Sequence, residues 1–265
     1  MIKVGIVGLG LIGSSLLKKI SKNPDYEVFV CSKSSYFDAF QYTKNSSDEL
    51  NIVKECDIIF VCCAISKTLD YLNKLNEILP QNAVVVDVCS IKKDLLDKKY
   101  NFNFVLSHPM AGTEKTGFSA GFEELFENNK WLYEVENEYL IKIIKDVGAI
   151  PVKINMQNHD KYCAEISHFP AILATLLFNI TTNTSKTIAS SGFRDMTRLA
   201  VTNSDLLNKM FEDNVENLTH LLNQTIIEFN NLKNMSSNER IEMFNQISEK
   251  REKMYDKFGK NIYKI

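Results

Sequence analysis

Four histidines, His108, His159, His168 and His220, and two arginines four residues apart, Arg194 and Arg198, are the side chains best suited to chemistry in this 265-residue chain. His108 opens the segment His-Pro-Met-Ala-Gly-Thr-Glu-Lys-Thr-Gly (residues 108–117), directly after the strand-like run Phe104-Val105-Leu106. A strand end that leads into glycine- and threonine-rich backbone is where an open α/β sheet presents groups to a ligand. An imidazole there can accept or donate a proton near neutral pH. His168 lies in Ile-Ser-His-Phe-Pro, residues 166–170. His159 precedes Asp160 near an expected helix start, where polar residues are ordinary caps. His220 falls on a long amphipathic stretch, as a surface or packing residue. Arg194 and Arg198 share one side of a helical turn and suit bidentate gripping of carboxylates. Taken alone, they read more simply as surface cations paired with Asp195.

The start of the chain names the ligand class. Gly8-Leu9-Gly10-Leu11-Ile12-Gly13 follows the apolar run Val4-Gly5-Ile6-Val7. In such a strand–turn–helix unit, Gly8 permits the tight turn. Gly10 lets backbone approach a pyrophosphate, and Gly13 lets the helix pack close to the strand. The helix N-terminus then stabilises the diphosphate. Leu11 and Ile12 complete the expected contact set. NAD-binding versions place an acid at the end of the second strand for the ribose 2′-hydroxyl. Here that strand ends in Cys31-Ser32-Lys33-Ser34-Ser35. A hydroxyl and an ammonium suit a 2′-phosphate, so the residues lean to NADP over NAD.

These groups need a scaffold, and the pattern supplies one. Strand-like runs over 3–7, 27–31, 58–62, 84–88 and 104–106 alternate with helical stretches near 12–22, 67–78 and 91–99. This is the rhythm of a doubly wound parallel sheet of Rossmann type. A strand over 131–136, a helix over 138–147 and a strand over 151–154 are expected to extend the same sheet. After Asn155 only helical periodicity continues: over 156–183, over 204–231, and from the capping box Ser236-Ser237-Asn238-Glu239 to about residue 258. Pro170 marks a helix start or kink. The expectation is therefore a dinucleotide-binding domain over 1–155 and an all-helical domain over 156–265. The apolar surface of the second domain predicts a homodimer.

Composition excludes other classes. Hydrophobic residues make up 45% of the chain, enough for a core. With 31 basic and 33 acidic residues the net charge is −2, which gives no case for nucleic acid or membrane-surface binding. No apolar run is expected to reach the ~20 residues of a membrane span. The N-terminus enters a strand without signal-peptide architecture. Six cysteines, with no C-x-x-C pair and no zinc spacing, read as reduced thiols in the cytoplasm, and no metal is expected.

Taken together, the segments resemble the prephenate/arogenate dehydrogenase family of tyrosine biosynthesis. The resemblance rests on residues 8–13, Asp87-Val88-Cys89-Ser90-Ile91-Lys92, residues 108–117, Ser167-His168-Phe169-Pro170 and Gly192-Phe193-Arg194-Asp195-Met196-Thr197-Arg198, and it covers nearly the whole chain. It implies a nucleotide-binding domain followed by a helical dimerisation domain. It also implies oxidative decarboxylation of a cyclohexadiene, with hydride passing from ring C4 to a nicotinamide. On this resemblance His108 is the catalytic histidine, and Ser90 orients it and approaches the nicotinamide. Arg198 holds the ring carboxylate, and His168 lines the substrate pocket. Arg194, where some relatives carry lysine, adds positive charge. Thr113 and Glu114 belong to a loop beside the substrate, and Cys63 joins the cofactor contacts. Ala64 stands where many relatives have proline.

Prephenate, giving 4-hydroxyphenylpyruvate, is the favoured substrate, and arogenate, giving tyrosine, is the near alternative. A β-hydroxyacid dehydrogenase would need a catalytic lysine in the helical half and would leave the histidine segment unexplained. A non-catalytic dinucleotide sensor would keep residues 8–13 without needing His108, Ser90 and Arg198 together. No mutase-like segment precedes Met1 and no further domain follows the last helix, so neither a fused mutase nor a separate tyrosine-sensing domain is expected.

Overall fold

A computed structural model describes residues 1–113 and 115–258. Its elements run β1 (Ile2–Val7), α1 (Leu11–Ile20), β2 (Tyr26–Cys31), α2 (Tyr36–Ala39), β3 (Asn45–Ser47), β4 (Ile58–Val61), α3 (Ile65–Ile78), β5 (Val84–Asp87), β6 (Asn103–Val105), β7 (Ser107–Pro109), β8 (Lys130–Tyr133), α4 (Glu138–Asp146) and β9 (Ile150–Lys153). Helices follow: α5 (His159–Cys163), α6 (Phe169–Ile180), α7 (Asn183–Lys186), α8 (Ser191–Thr197), α9 (Ser204–Asn234) and α10 (Ser237–Phe258).

The first six strands form one parallel sheet in the order β3-β2-β1-β4-β5-β6. Its central strand β4, Ile-Ile-Phe-Val, is wholly apolar and buried because helices cover both faces. Within β4 the side chains alternate between two cores. Ile58 and Phe60 join Val4, Leu16 and Trp131, while Ile59 and Val61 join Leu72, Leu75 and Met156. The strand order reverses at β1, with β2 on one side and β4 on the other. The crevice beyond the carboxyl ends of β1 and β4 is therefore the expected ligand position.

Three expectations are corrected. The later strands do not extend the main sheet. Instead β7, β8 and β9 make a separate three-stranded sheet, β7 antiparallel and β9 parallel to β8. His108 consequently lies within β7, opposite Leu132, and not in a loop after β6. The cause lies at the junction. Buried Asp87, at the end of β5, accepts the Ser107 amide at 3.0 Å, and the Ser107 hydroxyl returns a bond to the Asp87 carbonyl at 2.6 Å. These bonds fasten the chain just past β6 and redirect it.

Second, residues 91–99 are not helical but a turn, with Asp97 at a left-handed φ of 61°. The Lys92 side chain enters the core instead of following a helix surface. It is fully buried, and its three ammonium protons have three partners: Asp87 Oδ2, the Cys89 carbonyl at 2.7 Å and the Ser107 carbonyl at 2.6 Å. Third, one run, Met156–Ile180, is long and apolar enough to cross a membrane by length and composition. A 3-10 turn, α5, a π turn (Ala164–His168) and α6 join end to end, within the single helical stretch read over 156–183. Core helices of soluble proteins pass the same test, and this run carries the buried His159 and His168.

No strand follows Lys153 among the described residues, as the change in periodicity at residue 155 anticipated. By contacts, however, the chain divides into compact units Met1–Asp213 and Asn214–Ile265, so the early helices belong with the sheet unit. The break coincides with a non-helical Asn214 (φ −121°, ψ 17°) inside α9. In the second unit the capping box forms as read: Ser236 N–H donates to Glu239 Oε2 at 2.7 Å, and Glu239 N–H donates to Ser236 Oγ at 3.4 Å.

Replacing Lys92 by methionine keeps the volume but strands the Asp87 carboxylate. Breaking a buried pair in this way is expected to cost about 3–5 kcal/mol. Urea denaturation measures it, and an unchanged midpoint would show that Lys92 does not hold this junction.

Candidate active site

The glycine turn sits at the sheet's reversal point. Gly8 adopts φ 95°, and a Cβ there would come within 2.8–2.9 Å of the Cys62–Cys63 backbone. A Cβ on Gly13 would lie 2.0 Å from the Gly8 carbonyl. Both glycines are therefore demanded by the turn itself. Gly10 is different: a Cβ on it would meet nothing within 4 Å, so no internal contact requires glycine there. Space kept open at the N-cap of α1 suits the close approach of an external group. No side chain caps α1, and Leu11, Ile12 and Gly13 form its first turn. The turn thus offers amide donors and the positive end of the helix to a phosphate. These residues fit a dinucleotide.

The end of β2 carries no acid. Ser32 is buried and its hydroxyl accepts the Ser35 amide at 3.2 Å, so it holds the turn; Lys33 beside it is exposed. Cys63, half-buried at the end of β4, has its thiol 3.7 Å from the Thr68 hydroxyl.

His108 stands at the start of the second sheet, tied through its neighbour Ser107 to Asp87 and Lys92. Trp131 Nε1 also donates to the Ser107 hydroxyl at 3.0 Å, which fixes β7 from the β8 side. His108 Nδ1 lies 2.9 Å from Nε2 of His159. His159 is fully buried, and its Nδ1 lies 2.7 Å from Asp160 Oδ1. Asp160 in turn accepts the main-chain amides of Lys92 and Lys93, both at 2.8 Å. The Cys163 thiol completes the cluster, 3.4 Å from His159 Nε2 and 3.9 Å from His108 Nδ1.

Sequence reasoning took His159 and Asp160 for a capping pair. The structure instead puts Asn155 in the capping role, accepting from the Gln157 amide at 2.9 Å. The missed signal was a second histidine one turn before Cys163. Three ligand-type atoms converge within 4.8 Å at His108, His159 and Cys163. The 2.9 Å nitrogen–nitrogen contact is a hydrogen bond, and burial pushes the Cys163 thiol up to about 12, where it keeps its proton. The trio reads as a hydrogen-bonded cluster.

Electrostatics keep these groups in defined states. Burial lowers the His108 pKa well below its ordinary 6.5, and repulsion from His159, Lys92 and His168 adds to the effect. Burial likewise lowers His168 to about 4. For Asp160, burial acts upward, but the His159 bond and the two lysine amides outweigh it, and the net shift is downward. The site therefore holds the Asp160 carboxylate and, at His108 and His168, neutral imidazoles at pH 7.

Other expected site residues divide into two groups. Ser90 is half-buried beside His168, which bonds to the Ser90 backbone. The ring that holds His108 Nδ1 is that of His159. Arg194 and Arg198 are exposed, on α8 and at its end, and Arg194 Nε donates to Asp195 Oδ1 at 3.2 Å. Thr113 is exposed, its hydroxyl accepting the Lys115 amide at 3.3 Å. Glu114 lies outside the described residues.

A parallel sheet with this glycine turn at its reversal point and helices thereafter defines a Rossmann-type nucleotide-binding protein. The chain belongs to the prephenate dehydrogenase family: residues 29–154 match its nucleotide-binding domain and residues 155–250 its dimerization domain. It is 30% identical to the prephenate dehydrogenase of Lactococcus lactis over 82% of this chain, and spans 66% of that protein's length. It is 26% identical to the cyclohexadienyl dehydrogenase of Zymomonas mobilis, over 87% of each. The crystal structure of Synechocystis arogenate dehydrogenase superposes with a TM-score of 0.80 at 26% identity, over 96% of this chain and 100% of that one.

The depressed histidines set a pH dependence of stability. Below pH 6.5 an unfolded chain takes up protons on His108 and His168 that the native state refuses until about pH 4 for His168. Stability is thus full above pH 6.5 and declines as the pH falls from 6.5 toward 4. Denaturant midpoints across this window are expected to fall, and to fall less steeply in His168→Gln. Equal slopes in the two proteins would contradict the buried neutral state of His168.

Proposed function

We propose that the protein is a prephenate dehydrogenase, converting prephenate to 4-hydroxyphenylpyruvate and carbon dioxide with reduction of NAD(P). What carries the reading is His108, held through Nδ1 at the start of β7, in a chain whose two halves match the two domains of this family. The nicotinamide, when bound, accepts the hydride from ring C4. The protein's own work is to align C4, bind the carboxylates and polarise the C4 hydroxyl. Neutral His108 accepts a hydrogen bond from that hydroxyl through Nε2. The proton shifts toward the ring as positive charge grows on C4, and returns to oxygen as the ring carboxylate leaves and the phenol forms. Loss of carbon dioxide supplies the electron pair that the hydride removes, so the ring becomes aromatic. In this reading Arg198 binds the ring carboxylate, helped by Arg194. His168 lines the pocket, Ser90 beside it approaches the nicotinamide next to His108, and Thr113 and Glu114 stand at its loop.

The same reading places Gly8, Gly10, Leu11, Ile12, Gly13 and Cys63 against the cofactor. It assigns Lys33 to a 2′-phosphate, with Ser32 shaping its turn, which favours NADP. Residues 156–265 serve substrate binding and homodimerisation. Exposed Phe178, Ile180 and Met196 in one compact unit, and Ile226, Phe229 and Phe244 in the other, supply apolar area for that contact. Six unbridged cysteines fit a reducing cytoplasm. Arogenate is the second reading, favoured by the likeness to the Synechocystis structure.

Purified protein is expected to raise absorbance at 340 nm with prephenate, and the four pairings of prephenate or arogenate with NAD or NADP rank substrate and cofactor. Silence in all four would sink the dehydrogenase reading. His108→Asn is expected to lower kcat by about 10²–10⁴-fold. A variant as fast as the parent would return His108 to a structural role.

A further inference from the structure

We infer that His159 and Asp160 are positioning residues that lock His108 in its Nδ1–H tautomer and relay the charge it gains during turnover to the half-buried Asp160 carboxylate. The inference rests on the dehydrogenase reading for its kinetic consequence, but the tautomer itself follows from the hydrogen-bond directions. Lys92 and Lys93 donate their amides to Asp160, one to each oxygen, so that carboxylate is an acceptor. The nitrogen facing Asp160, Nδ1 of His159, must then carry a proton. In a neutral ring this leaves Nε2 of His159 as an acceptor. Nδ1 of His108, 2.9 Å away, is the donor to it. The lone pair of His108 is thereby assigned to Nε2, the one ring nitrogen not turned toward His159.

Free imidazole distributes its proton between both nitrogens, so a histidine without such a partner offers an acceptor at Nε2 only part of the time. Here one direction is imposed by a chain of three bonds that ends on main-chain amides. The chain also answers a difficulty. Burial, together with Lys92 and His168, opposes positive charge on His108. When the substrate hydroxyl proton moves onto Nε2, the Nδ1 proton can shift toward His159, and the His159 Nδ1 proton toward Asp160. Each shift breaks one N–H bond as the next forms, no proton is lost, and the positive charge moves toward the carboxylate. All three shifts reverse as the phenol reclaims its proton. The groups facing the relay are Asp160, Cys163, Lys92 and His168; the Cys163 thiol stays protonated, and Asp160 is the one anion among them.

Long-range proton–nitrogen NMR of the ligand-free protein reads the tautomer directly, without substrate. The expected result is a neutral His108 protonated at Nδ1, changing toward Nε2–H in His159→Phe. Steady-state kinetics in the same variant are expected to show kcat about 10²-fold lower, with KM changed less than about twofold. His159→Gln, whose amide oxygen can accept from His108 Nδ1, should restore Nδ1–H and most of kcat. A wild-type His108 protonated at Nε2 overturns the proposal even if no variant folds. So does a His159→Phe enzyme with parental kcat, or a His159→Gln enzyme as slow as His159→Phe. Absence of wild-type turnover with both substrates and both cofactors would instead overturn the dehydrogenase reading and leave the NMR result standing.

Discussion

The buried ammonium of Lys92 is the constraint on which the site depends. An isolated charge in a protein interior is unsustainable, and Lys92 is sustained by one carboxylate and two carbonyls drawn from three places in the chain. Asp87 ends the central strand β5, Cys89 belongs to the segment after it, and Ser107 begins the second sheet. Satisfying one charge therefore fixes three backbone segments together. The next residue after Ser107 is His108. Meanwhile the backbone that carries Lys92, with its side chain drawn inward, presents two successive amides to Asp160. One residue thus places His108 through its side chain and the carboxylate behind it, Asp160, through its main chain.

The glycine turn works by the opposite device. Where Lys92 concentrates partners, Gly8, Gly10 and Gly13 remove side chains so that backbones can approach. Gly8 and Gly13 are needed by the fold alone; Gly10 is not, and its open side is what a bound phosphate would use. The two devices meet in one sheet because β1 and β4 flank the reversal point and β5 lies next to β4. The glycine turn and the Lys92 anchor are thereby carried by strands of the same sheet.

Much of this was legible in the sequence. The alternating strands, the glycine turn, His108 and the Ser236–Glu239 capping box each carry a local signal: periodicity, a fixed spacing, or a reciprocal pair three residues apart. What was not legible was non-local. The turn at 91–99 reads as helix because Ile91, Leu95 and Leu96 have helical spacing; Lys92 overrides it through partners up to 15 residues away. The separate sheet of β7 to β9 follows from the bonds between Asp87 and Ser107, 20 residues apart. Strand β3, Asn-Ser-Ser, has no apolar residue to announce it and exists because β2 offers an edge. His159 beside Asp160 looks like a polar helix start, and only the fold reveals that its partner lies 51 residues earlier. The exposed arginines were found by spacing, while the chain by itself leaves Arg194 with Asp195.

A neutral, buried histidine is a poor base, and that weakness suits the proposed chemistry. A strongly basic group would be protonated already at neutral pH, with no lone pair to offer the hydroxyl. Burial keeps His108 neutral, while in the proposed turnover the anion two hydrogen bonds away matters most once positive charge develops on the ring. An interaction that strengthens only as charge develops lowers the barrier without tightening substrate binding. Asp160 is well placed for this because its own charge is already satisfied by two main-chain amides. The His159 bond and those amides together hold it ionised against burial.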